Sequence, residues 1–248
     1  MKSGVSFLFL ALFGLFLIFG GSLVILPGFA GVETFAFVMT GWIISVCCHE
    51  YGHAVTASFC GDTTVETRGY LRLDPRSYIH WNASFVLPLI VLIMGGVALP
   101  GAAVLIRQDL ITRSWQRSVV ALAGPVVTLI IAVACYGIGL SLLSERSQFL
   151  SQAFMLLAFF QLMAFIFNMM PVPGLDGFAV LSPWLPQGVI ASMRRIGNLA
   201  WLRLLAFGLF FFFGYQVIYP LMSALVSLFG VDLNPAFLAY DRFQFWHP

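Results

Sequence analysis

Charge is what this sequence has least of: Asp, Glu, Lys and Arg make up 9% of its 248 residues, and Lys2 is its one lysine. A soluble domain carries roughly a quarter charged residues, so the usual water-exposed surface is excluded. The formal net charge is only +2 and the arginines fall in separate short clusters, so nucleic acid is not an expected partner. Cysteine is scarce too. Cys47, Cys48, Cys60 and Cys135 show neither CxxC spacing nor a disulfide framework, and read as small buried hydrophobes. No polar linker, low-complexity tract or internal repeat divides the chain, so residues 1–248 are expected to form a single membrane-embedded domain.

What is abundant is apolar: 60% hydrophobic residues and a mean hydropathy of +0.97. Apolar runs recur at Gly4–Leu26, Phe35–Phe59, Phe85–Ile106, Val119–Leu143, Phe149–Met170 and Leu202–Phe229. A membrane span needs roughly 20 such residues. The expected fold is therefore an all-α polytopic protein in a lipid bilayer, with about five to six transmembrane helices. The first run follows a lysine as a signal peptide would, but it exceeds the roughly 7–15 apolar residues of a cleavable core and reads as a retained helix.

Two segments depart from this pattern. In TTVETRGYLRLD, positions Thr64 to Asp74 alternate polar and apolar with a period of two, which predicts an amphipathic strand in a small β-hairpin or sheet at the membrane surface. An extended substrate could add to its edge. The run Phe85–Ile106 contains GGVALPG and is read either as a full crossing or as a re-entrant segment. The re-entrant reading puts the arginine clusters at 68–76, 107–117 and 194–203 on one side, the cytoplasmic one.

The second run contains CCHEYGHAV, residues 47–55. His49 and His53 are four apart, so on a helix both rings share one face and reach a single ion. Glu50 sits about 100° around the helix, beside that ion but not positioned to be its third ligand. Two neutral imidazoles, an open coordination position and a carboxylate base are what zinc-dependent hydrolysis needs. Ionisable groups are costly in a bilayer, roughly 2.5–3.5 kcal/mol each on insertion scales, and a metal offsets that cost. The third ligand is expected from NMMPVPGLDG, residues 168–177, where Pro171 and Pro173 break the fifth run ahead of Asp176. A plain helix exit at the interface, with Asp176 capping the next helix, is the alternative.

HEYGH, Ala123-Gly124-Pro125 and NMMPVPGLDG together resemble the site-2 protease family of intramembrane zinc metalloproteases, in the form of a compact member without a PDZ or CBS domain. The resemblance covers the motif helices at about 35–59, 119–143 and 149–170. It implies one Zn²⁺ held by His49, His53 and Asp176, with Glu50 as general base. Asn168 and the backbone from Pro171 through Pro173 to Leu175 are implied to help hold the substrate. That substrate would be a single-span membrane protein, in some cases already trimmed by another protease. The setting implied is a multi-pass protein of a bacterial cell membrane with its site nearer the cytoplasmic side. The family often has Asn where this chain has Thr128, which leaves the contribution of that helix open. His80 reads as an interfacial anchor or a group near the metal. A metal transporter or sensor, or a non-cleaving relative that binds membrane helices, is the alternative.

Overall fold

The computed structural model describes residues 4–78, 104–197 and 232–246, with isolated positions 220, 224, 227 and 230. His80, most of the Phe85–Ile106 run and most of the Leu202–Phe229 run lie outside the described residues.

Four described helices are long and apolar enough to cross a membrane. They are α1 (Phe7–Ile25), α2 (Ala30–Phe59), α5 (Ser114–Ser141) and α6 (Gln148–Asn168). Each starts or ends within a few residues of the apolar run that predicts it. Ser6 caps α1, its hydroxyl accepting from the Phe9 N–H and donating to the Leu73 carbonyl. Helix α5 packs against both α2 and α6, and α1 lies on α2. Phe37, Trp42, Leu156, Leu157 and Phe160 fill the space between α2 and α6. The ring of Phe16 on α1 stacks on Phe37 at 4.3 Å. The outer faces of α1 and α5 expose Leu10, Leu17, Ile18, Ile130 and Val133, as lipid contact requires.

The connection after α2 corrects the sequence expectation. Thr64–Asp74 is not one strand. Thr64–Thr67 forms a helical turn, α3, and only Arg72–Leu73 is extended, as β2. It pairs in parallel with β1 (Gly4–Val5), placing Gly4 beside Arg72 and Val5 beside Leu73. Local capping overrides the alternation. The buried Asp62 carboxylate accepts from the Thr64 N–H at 2.9 Å and from the Thr64 hydroxyl at 2.6 Å. Gly69, at φ +76°, then ends the turn. Val65 and Leu71 face inward from this turn and pack on Ala54 and Ala57 of α2. A short helix, α4 (Pro75–Tyr78), follows.

The chain re-enters the described structure at the end of the bundle where it left. Arg68 donates to the Leu105 carbonyl at 2.8 Å, and Asp62 accepts from the Arg107 N–H at 2.7 Å. Helices α2 and α6 therefore both run toward that end, and α5 runs away from it. Beyond α6 the chain forms α7 (Asp176–Leu181), α8 (Gln187–Gly197) and α9 (Asn234–Phe243). Of these, α9 packs on α6 and α2.

Candidate metal centre

The site is built on the last three turns of α2. His49, Glu50 and His53 are all buried there. On α5, residues 120, 124 and 128 recur every four positions and turn one helical face toward these rings. The His53 Nδ1–H donates to the Val120 carbonyl at 2.7 Å. A carbonyl can only accept, so Nδ1 carries the proton and the Nε2 lone pair is free. His49 Nδ1 lies 2.9 Å from Thr128 Oγ1. Between those two anchors sits Gly124. A Cβ there would overlap His53 Nε2 and come within 2.7 Å of His49 Nε2. Glycine lets α5 come close enough for both rings to be held by its backbone and hydroxyl. The next residue, Pro125, lies inside the helix. It offers no N–H to the Ala121 carbonyl.

The acid arrives from the other side. Helix α6 stops at Asn168, the chain breaks at Pro171 and Pro173, and Asp176 is the first residue of α7. Gly177 permits this tight return, because a Cβ there would overlap the Met169 carbonyl. Asp176 Oδ2 then lies 3.3 Å from His49 Nε2, and Oδ1 lies 3.4 Å from His53 Nε2. The two Nε2 atoms are 3.1 Å apart. Donor atoms at two corners of a tetrahedral zinc site, each about 2.0–2.1 Å from the ion, are about 3.3 Å apart. The three atoms thus have the spacing of three corners. With its proton on Nδ1, His53 points a lone pair at this cluster, and His49 does the same in the tautomer whose Nδ1–H donates to the Thr128 hydroxyl. Such a donor-free cluster is satisfied by one central cation. These are the described residues that group as a metal-binding set.

A cavity of about 320 Å³ opens beside this cluster, lined in part by Glu50, Asn168, Leu175 and Asp176. Its other wall is the segment 104–111, held by side-chain bonds to its backbone. Glu50 Oε2 accepts from the Val104 N–H at 2.9 Å, and the Arg117 Nε–H donates to the Ile111 carbonyl at 2.7 Å. Outside the wall, the Arg107 guanidinium pairs with Asp109 and holds its carboxyl down to about 2.

Comparison with known proteins agrees with this geometry. The model of "Peptidase family M50" matches residues 36–152. Relatives bearing the name "Putative zinc metalloprotease" include Rip2 of Mycobacterium tuberculosis, 43% identical over 72% of this chain and 70% of that protein. Rip2 of Mycolicibacterium smegmatis is 39% identical over 68% of this chain and 66% of its own length. YwhC of Bacillus subtilis is 29% identical over 78% of this chain and 90% of that protein. No solved structure matches. The chain belongs to peptidase family M50, the site-2 proteases. It is a membrane metalloprotease, and its metal is zinc.

As a family M50 member, it brings together most of the residues that the sequence singles out. His49, His53 and Asp176 converge, and Glu50 faces the same cavity. Asn168 and Leu175 line that cavity, whereas Pro171 and Pro173 lie outside its lining and shape the return to Asp176. Sequence reasoning misses the Val120 carbonyl and the Val104 N–H, because any residue type supplies them. It also misses Asp62, although a buried acid directly after a helix end is a signal for a capped turn.

Proposed function

We propose that this chain hydrolyses peptide bonds within or near the transmembrane helices of single-span membrane protein substrates, in regulated intramembrane proteolysis, after another protease has trimmed some of them. The observation that carries the proposal is the convergence of three donors at tetrahedral spacing, beside a carboxylate and a cavity, at the ends of two membrane-spanning helices. His49, His53 and Asp176 would hold the zinc. When bound, that ion supplies a Lewis acid for the scissile carbonyl and makes a coordinated water more acidic.

The remaining steps belong to the chain. Glu50 is the general base: it takes a proton from the attacking water and returns it to the leaving amine nitrogen. Its hydrogen bond from the Val104 N–H fixes the carboxylate's orientation. The bonds to Val120 and Thr128 hold the two rings so that Nε2 faces the metal position. Asn168 and Leu175, on the cavity wall, are placed to contact an unwound substrate segment. Unwinding is needed because a helix hides its amides in i to i−4 bonds. The two-residue β2 already pairs with β1 along one side, so the wall at 104–111 adjoins the reacting centre more directly than the surface strand does.

Six spans are proposed: the four described helices and the runs at 85–106 and 202–229, the former returning to its starting side. Arg68, Arg72, Arg76, Arg107, Arg113 and Arg117 all lie at the end of the bundle that holds the site. Positive charge concentrates on cytoplasmic loops, so the site is assigned to the cytoplasmic side of a bacterial membrane, in line with the bacterial relatives. The test is reconstitution in liposomes with single-span substrates, using the wild-type chain and Glu50→Gln. Cleavage by the former and not the latter, with zinc in both, supports the protease. Metal flux across the bilayer without cleavage would support a transporter instead.

A further inference from the structure

Arg117 stands apart from the other arginines of this surface because it lines the cavity itself, half-buried on the first turn of α5. Its Nε–H is engaged by the Ile111 carbonyl. Among the described residues, no ion pair within 4 Å engages its guanidinium; Asp109, paired with Arg107, feels its charge only from farther away. The carboxylates facing the cavity, Glu50 and Asp176, are assigned to the base and to the metal. The cavity wall thus carries one cation whose terminal Nη1 and Nη2 groups have no bonded partner among the described residues. Three residues, about 4.5 Å of helix rise, separate Arg117 from Val120, whose carbonyl holds His53. Arg117 and the metal ligands therefore line one cavity, with Arg117 one helical turn before the residue that holds His53.

Resting on the protease reading, we propose that Arg117 is a specificity-determining residue that recognises an acidic side chain of the substrate close to the bond that is cut. Both groups line one cavity, and an extended chain advances about 3.3 Å per residue, so a carboxylate within a few residues of the scissile bond can meet the guanidinium. Arginine suits the task because its planar fork grips a carboxylate through two parallel hydrogen bonds. The Nε bond to Ile111 keeps that fork from swinging away. Arg68, bonded to the Leu105 carbonyl of the cavity wall, adds a second cation on this side and favours an acidic stretch over a basic one.

The test uses single-span peptides with a leucine–alanine body that carry Asp, Asn or Lys at successive positions on both sides of one bond. Affinity is measured by fluorescence anisotropy on the full zinc-loaded Glu50→Gln chain in detergent micelles, and cleavage is measured on the chain with Glu50 intact. The expected result is one position, or two neighbouring ones, where Asp binds about tenfold tighter than Asn. Arg117→Ala should remove that preference, Arg117→Lys should keep part of it, and Arg117→Glu should transfer it to Lys. The proposal is overturned if affinity shows no positional dependence on charge. It is equally overturned if Arg117→Glu weakens every peptide alike, which a purely structural bond to Ile111 would produce. Positional binding without any cleavage by the zinc-loaded wild type would uphold Arg117 and sink the protease reading, so the two fail separately.

Discussion

The ring of His49 and the hydroxyl of Thr128 meet at 2.9 Å across two antiparallel membrane helices, with Nδ1 on one side and Oγ1 on the other. Thr128 stands where the family often has Asn, and the contact shows that a hydroxyl can take the role of fixing the imidazole. Thr128→Val keeps the shape of the side chain and removes the hydrogen bond. Groups that orient a metal-bound histidine contribute about 10–100-fold to affinity. Chelator competition should therefore show zinc held about tenfold more weakly in Thr128→Val, and nearly unchanged in Thr128→Ser. Equal affinity in all three chains would remove Thr128 from the site.

Gly124→Ala gives a sharper version of the same test. In an ordinary helix interior this change stabilises by about 0.8–1 kcal/mol. Here the added methyl overlaps His53 Nε2. Purified Gly124→Ala protein should fold and insert, yet carry less than about a tenth of the wild-type zinc. Full zinc content would mean that α5 can retreat from the rings at no cost.

Glu50→Gln separates chemistry from metal binding. The amide keeps the size of the carboxylate and loses its basicity. Cleavage of a membrane substrate should fall about 10²–10⁴-fold, with zinc content held near one ion per chain. A Glu50→Gln chain that cleaves at the wild-type rate would exclude Glu50 as the base.

How much of this could be read in the sequence depends on the range of the cause. Four spans follow from hydropathy alone, because a bilayer demands long apolar runs whatever they pack against. HEYGH announces two ligands because both lie on one helix, where spacing fixes geometry. The Thr64–Asp74 alternation misleads, since the Asp62 cap and Gly69 act locally and win over a period of two. Val120, Val104 and the close approach at Gly124 are tertiary facts. Their contributions come from backbone atoms or from the absence of a side chain, so no residue type advertises them.

Asp62 tests whether the cavity wall is braced as described. Its buried carboxylate accepts from the Thr64 N–H, the Thr64 hydroxyl and the Arg107 N–H. Asp62→Ala leaves these donors without their acceptor, a loss of about 1–3 kcal/mol. The segment 104–113 should then become the first site of limited proteolysis in detergent, ahead of global unfolding. Unchanged cleavage patterns would show that Arg68 and Arg117 suffice to hold it.

Zinc-edge X-ray absorption on the purified chain tests most directly whether His49, His53 and Asp176 share one ion. It should show one zinc per chain in a four-coordinate shell containing two imidazoles and an oxygen donor at about 2.0–2.2 Å. Asp176→Ala should remove the carboxylate contribution and weaken retention of the metal. A wild-type spectrum without histidine scattering, or one that Asp176→Ala leaves untouched, would contradict the site.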